Sequence, residues 1–211
     1  MHPPKIPAPD AFELLKEGNQ RFVAGTSARI HRTHKLVDNQ EPFAVVLGCS
    51  DSRVPPEILF DHGVGDMFVI RLAGNIVSPM EVGSVEFASI KFGPRLVVVL
   101  GHTCCGAVQA TVETLIESKS NPGSNPVADL SEGMQTIVEH IRPSVNLEAP
   151  HATEEQTKRV IYQSIVDNVK NSVRRLRDGS DVMRDLIANH GVMVVGGVYN
   201  LETGIVDFFE I

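Results

Sequence analysis

Two short apolar runs in this chain end in the same way. Phe43-Ala44-Val45-Val46-Leu47-Gly48 leads directly into Cys49, and Leu96-Val97-Val98-Val99-Leu100-Gly101 leads into His102-Thr103-Cys104-Cys105. A continuous apolar run of this length, closed by glycine, is the pattern of a strand buried on both faces of a parallel sheet. Each run delivers potential metal ligands to its carboxyl end, and in open α/β sheets sites form just beyond those ends. The fold must therefore bring two strand ends together.

The rest of the chain supplies the elements for such a sheet. Residues 1–9 are proline-rich and read as an extended arm. Asp10 reads as an N-cap with Glu13 as its capping-box partner, starting a helix from Ala11 to about Ala24. That helix would place Phe12, Leu15, Phe22 and Val23 mostly on one side. Pro55-Pro56 opens a short helix, Glu57 to Asp61, and Met67 to Arg71 is a second strand broken by Gly74-Asn75. A helix from Met80 to Phe92 closes at Gly93-Pro94, and another runs from Gly106 to Ser118. After a loop at 120–126, helices are expected at 130–142, 153–177 and 181–189, the last capped by Ser180. Val192 to Val198 is a fourth buried strand, and Ile205 to Phe209 returns as an antiparallel edge strand.

The alternation predicts an α/β fold. Its central sheet has about four mostly parallel strands plus the antiparallel edge, with helices on both faces and an N-terminal helical arm. We expect one domain over 1–211, with the arm and first helix at 1–36 and the α/β core at 37–211. An arm and helix placed before the first core strand are expected to pack on a neighbouring subunit.

The formal charge, 19 − 26 = −7, argues against nucleic acid or an anionic membrane as the main partner. No apolar stretch approaches the ~20 residues of a membrane span. Met1-His2-Pro3-Pro4-Lys5 lacks the apolar core of a signal peptide, so a cytoplasmic location is expected, although a processed exported form would look the same. The three cysteines are an odd number, and two are adjacent and close to a histidine. Metal binding or catalysis therefore ranks above disulfide bridging.

Zinc favours thiolate and imidazole, and its catalytic sites use three protein ligands with a fourth position open. Cys49, His102 and Cys105 would make a Cys₂His set, and the helix that follows Cys105 favours its thiolate. Cys104 competes with Cys105, but two residues past His102 it points the other way and reads as a buried free thiol. Of the remaining histidines only His62, which follows the Cys49 segment, invites attention.

Cys-Ser-Asp-Ser-Arg-Val-Pro-Pro at 49–56, Arg71 with Ala73-Gly74-Asn75, and Gly-His-Thr-Cys-Cys-Gly-Ala at 101–107 resemble the β-class carbonic anhydrase family. The similarity runs from the helix at 11–24 to the strand at Gly196-Gly197-Val198-Tyr199 and its hairpin. The resemblance implies one Zn²⁺ per chain on Cys49, His102 and Cys105. It implies reversible hydration of carbon dioxide to bicarbonate and a proton by zinc-bound hydroxide, and assembly as a homodimer or homotetramer with active sites at subunit boundaries. It also implies that Asp51 and Arg53 form a catalytic dyad, and that in an inactive state Asp51 leaves Arg53 to become the fourth zinc ligand.

Carbon dioxide carries no charge, so catalysis needs hydroxide at neutral pH, and zinc lowers the pKa of water from about 15.7 towards ~7. Two thiolates blunt that effect by neutralising the ion. Asp51 could compensate by accepting the hydroxide's hydrogen bond, itself held by a charge-assisted pair with Arg53. Gln40 stands where related enzymes place a substrate-binding glutamine. Phe68, Ala73 and Val54 are expected to wall the pocket, and Gly74 and Gly106 to let backbone approach the site. Some bacterial members have a regulatory bicarbonate site that uses a tryptophan three residues before the first cysteine. That position is Val46 here and the chain has no Trp, so Arg71, which matches the arginine of that site, reads as structural. Two other functions share these residues: hydrolysis of carbon disulfide or carbonyl sulfide, and a non-catalytic zinc or thiol regulatory role.

Overall fold

The computed structural model describes residues 6–27, 40–121, 123–147 and 153–209. The apolar runs form one five-stranded sheet in the order β2-β1-β3-β4-β5, made of β1 (Ala44–Gly48), β2 (Met67–Arg71), β3 (Leu96–His102), β4 (Met193–Tyr199) and β5 (Val206–Phe209). The first four strands pair in parallel, and β5 runs antiparallel to β4 at the edge. Every residue of β1 and β3 is buried, as continuous apolar runs require. Ala44 through Leu47 have 0% exposure, and each of their larger side chains contributes roughly 1.5–3 kcal/mol through burial.

The helices are α1 (Ala8–Val23), α2 (Pro56–Leu59), α3 (Pro79–Lys91), α4 (Gly106–Ser120), α5 (Glu132–Ile141), α6 (Glu154–Asp178) and α7 (Asp181–His190). Local chemistry sets their ends. Ser78 with Glu81 and Thr153 with Gln156 form capping boxes, and Ser180 caps α7, which stops at left-handed Gly191. Among the described residues, no helix is long and apolar enough to cross a membrane.

Three expectations need correction. Helix α1 begins at Ala8 behind Pro7, not at Ala11 behind Asp10, because Pro9 fits the first turn, where its missing N–H has no partner to lose. Val23 is 45% exposed, and Ala11 takes its place in the buried stripe with Leu15. Strand β3 continues through Gly101 to His102, paired there with Tyr199 of β4, so His102 belongs to the sheet and not to the loop after it. Of the proposed arm and helix at 1–36, residues 1–5 and 28–36 lie outside the described residues.

The order places β2 on one side of β1 and β3 on the other. The chain therefore changes direction across the sheet between β1 and β3, the place where doubly wound sheets open a crevice at their carboxyl ends.

Candidate metal centre

Gly48, the last residue of β1, lies beside Leu100 of β3, so Cys49 leaves the sheet next to the strand that continues two residues further to His102. Cys49 follows the end of β1, His102 ends β3, and Cys105 is the N-cap residue of α4. One ligand atom from each lies within 4.8 Å of the other two, and all three residues are buried.

The His102 ring is oriented by its own backbone. Nδ1 lies 2.9 Å from the Thr103 carbonyl, which can only accept, so Nδ1 carries the hydrogen. Nε2 then presents a lone pair, buried and with no hydrogen-bond partner. A buried acceptor left unpaired costs about 1–3 kcal/mol, and a bound cation removes that cost. The two thiols are strongly unequal. Cys49 is lowered to about 4, chiefly because the Cys105 thiol donates to it, against the opposing effect of burial. Cys105 is pushed far above the ordinary thiol range by the same bond and by burial. The pair thus shares one proton and one negative charge. A divalent cation that displaced the proton would ionise both sulfurs. The orphan Nε2 and the Cys₂His donor set both fit Zn²⁺.

The turn after Cys49 is clamped from β2. Arg71 Nε donates to the Cys49 carbonyl at 2.9 Å and Nη2 to the Asp51 carbonyl at 2.5 Å, which is the structural part expected of it. Arg53 grips the Asp51 carboxylate: Nε to Oδ1 at 2.9 Å, Nη2 to Oδ2 at 2.7 Å, and backbone N to Oδ1 at 2.9 Å. That grip holds the Asp51 carboxyl well below the usual carboxylate range. Arg53 Nη2 also reaches the Cys104 carbonyl at 3.4 Å, tying the dyad to the second ligand segment.

The other expected positions divide. Val54 is 2% exposed and Ala73 half-buried, both adjoining the Cys49 turn or the segment that bonds it. Phe68 sits three residues short of the end of β2, in an aromatic cluster with Phe87 and Phe92 at 6.3 and 6.0 Å. Gln40 is exposed at the amino end of β1, whereas Cys49 follows the carboxyl end. Gly106 is not demanded by close approach, because a Cβ there would meet nothing within 4 Å. Gly74 is demanded: it has φ +69°, and a Cβ would lie 2.9 Å from Ile141 Cδ1. Cys104 is exposed, not buried, because its left-handed conformation (φ 57°) in the turn after β3 turns it away from the core. His62 packs on Phe43 at 4.7 Å and reaches the Leu14 carbonyl, apart from the metal ligands.

Sequence reasoning missed the Thr103 carbonyl behind His102 and two polar residues of α6, Asn168 and Ser172, which bond the Gly74 and Asn75 carbonyls. Their signal was visible: buried-face spacing shared with Ile165, Val169, Val173 and Leu176.

The carbonic anhydrase family model matches residues 44–206. A carbonic anhydrase of Mycolicibacterium smegmatis is 37% identical over 201 residues, which cover 93% of this chain and 91% of that one. Carbonic anhydrase 2 of Mycobacterium tuberculosis is 35% identical, covering 92% and 89%. Among solved structures, a tetrameric β-carbonic anhydrase from Sordaria macrospora superposes with a TM-score of 0.70 at 23% identity, covering 84% and 85%. The Coccomyxa β-carbonic anhydrase, solved with acetazolamide, gives 0.67 at 24% identity, covering 90% and 82%. At these identities the structural matches speak for the fold.

Proposed function

The chain belongs to the β-class carbonic anhydrases, a family of lyases, and on that basis we propose that it catalyses the reversible hydration of carbon dioxide to bicarbonate and a proton, with one zinc ion held by Cys49, His102 and Cys105. The observation that carries this reading is the convergence of the three buried ligand atoms beside the Asp51–Arg53 pair.

When bound, zinc would make hydroxide available from water at neutral pH. The chain's own residues do the rest. Arg53 engages both oxygens of the Asp51 carboxylate and holds it ionised; Oδ1 accepts from Nε and from the backbone N–H, whereas Oδ2 accepts only from Nη2 and keeps a lone pair to accept a hydrogen bond from the attacking hydroxyl group. Accepting that bond aims the oxygen's free lone pair at the carbon. Arg71 fixes the backbone on both sides of Ser50, so Asp51 cannot drift while it does so. Val54 and Ala73 offer the apolar wall that an uncharged substrate needs.

The protein works as a homo-oligomer in this reading. Met80, Phe87 and Ile90 lie along one stripe of α3 at 78%, 53% and 61% exposure, next to the open edge of β2. A second copy would cover that face. Gln40 points to the same conclusion. The whole of β1, five extended residues or about 17 Å, lies between it and Cys49, so a substrate role for Gln40 requires the metal centre of another copy.

Zinc analysis of purified protein, with stopped-flow carbon dioxide hydration across pH, tests the reading. One zinc per chain with hydration activity is expected. Zinc without hydration, but with sulfide release from carbonyl sulfide, would replace the substrate; protein without zinc would overturn the reading altogether.

A further inference from the structure

Cys49 Sγ receives a hydrogen bond from the Gly74 backbone N–H at 3.3 Å. Gly74 lies in a tight turn, Ala73–Asn75, in which two successive residues have positive φ (69° and 42°). Such a turn cannot satisfy its own carbonyls, and these are buried. Helix α6 satisfies them from outside. Asn168 Nδ2 donates to the Gly74 carbonyl at 2.7 Å, Ser172 Oγ to the Asn75 carbonyl at 2.9 Å, and Arg175 Nη1 to the Val77 carbonyl at 3.2 Å. Positions 168, 172 and 175 fall on one face of the helix. The helix can come this close because the sheet beneath it is bare. Val169 occupies the space above Gly101 and Gly196, where an added Cβ would lie 2.5 and 2.9 Å from its methyl groups.

We propose that Asn168 is a positioning residue for the metal ligand Cys49, acting through Gly74. Gly74 is held at both ends, its carbonyl by Asn168 and its N–H by the sulfur. Releasing the carbonyl lets the turn rotate and withdraws the N–H from Cys49. Without that donor the sulfur loses the contact that fixes its direction towards the other two ligand atoms, which loosens its bond to a metal. Groups behind a metal ligand commonly set affinity about 10–100-fold. A merely structural Asn168 would support the turn without affecting the metal. The inference rests on the metal role of Cys49 proposed above.

The test uses the full chain loaded with Co²⁺, whose sulfur-to-metal charge-transfer band reports thiolate bonding, and the rate at which zinc passes to a chelator. Asn168→Ala, and the near-isosteric Asn168→Asp should the alanine variant not fold, are expected to shift the band and speed zinc release at least tenfold. Val173→Ala, a cavity in the same buried helix face, is expected to lower the melting temperature and leave both readouts at parental values. Asn168 variants with the parental band and release rate, or a Val173→Ala that moves both equally, would overturn the inference while leaving the proposed function standing. A parental protein that binds cobalt without a sulfur band would overturn both.

Discussion

Arg53 approaches Asp51 with its guanidinium and its backbone N–H together, at 2.7–2.9 Å over three hydrogen bonds. Both groups come from one five-residue turn, so no rearrangement of the sheet is needed to form the pair. Arg53 is about half exposed (53%), and an exposed ion pair contributes little to stability. Its effect lies in geometry: it grips both oxygens of the carboxylate and holds Asp51 well below the usual carboxylate range.

Asp51→Asn keeps the shape of the side chain and replaces one acceptor oxygen with a donor. Carbon dioxide hydration should fall by about 10²-fold or more, as for loss of a positioned proton partner, with zinc content unchanged. Arg53→Lys should recover only part of the loss seen in Arg53→Ala, because an ammonium cannot make the bidentate contact. Stopped-flow assays beside metal analysis check both.

Asp51 has a folded pKa below its unfolded value of about 3.9, so its small stabilising effect is complete above that value and lost as pH falls through the folded one. Between pH 5 and 8 Asp51 does not titrate. Any change in hydration rate within that range should therefore persist with the same midpoint in Arg53→Lys, as a pH–rate profile would show.

The two thiols predict how many protons a metal displaces. Cys49, at about 4, is already ionised at neutral pH, while the raised Cys105 keeps its proton. Zinc binding to the metal-free protein at pH 7 should release about one proton instead of two. Calorimetric titration in buffers of different ionisation enthalpy measures this number. Metal-free protein should also melt at a lower temperature than the loaded form, because the ion binds only the folded state.

Two glycines beside the site should respond oppositely to alanine. Gly74→Ala places a side chain at φ +69° and 2.9 Å from Ile141 Cδ1, and should cost about 1–3 kcal/mol. Gly106→Ala adds a methyl with nothing within 4 Å at the first residue of α4, and should be neutral or mildly stabilising. Denaturant unfolding of the two variants gives the comparison.

The stripe on α3 yields a test of assembly. Phe87→Glu together with Ile90→Lys puts charge on a face that is 53% and 61% exposed in the single chain. If a second copy covers that face, sedimentation should show smaller particles at equal concentration. Unchanged sedimentation would place the interface elsewhere.

The amino-acid sequence by itself determined the strands, their mostly parallel character and the three candidate metal ligands. Those signals are local: unbroken apolar runs closed by glycine, and soft ligands at the following positions. It also placed Asp51 and Arg53 together, because two residues of one turn can hardly be apart. Tertiary structure decided what depends on neighbours far along the chain. The pairing of Gly48 with Leu100 is what turns two separate ligand segments into one buried group. Burial of His102 Nε2 without a partner follows from packing that no spacing encodes. The exposure of Cys104 depends on a left-handed turn. Asn168 reaches Gly74 across 94 residues of sequence, because Gly101 and Gly196 leave room for α6 to settle on the sheet. A hydrogen bond between groups so distant in the chain is created by the close packing of helix on sheet, and no local pattern announces it.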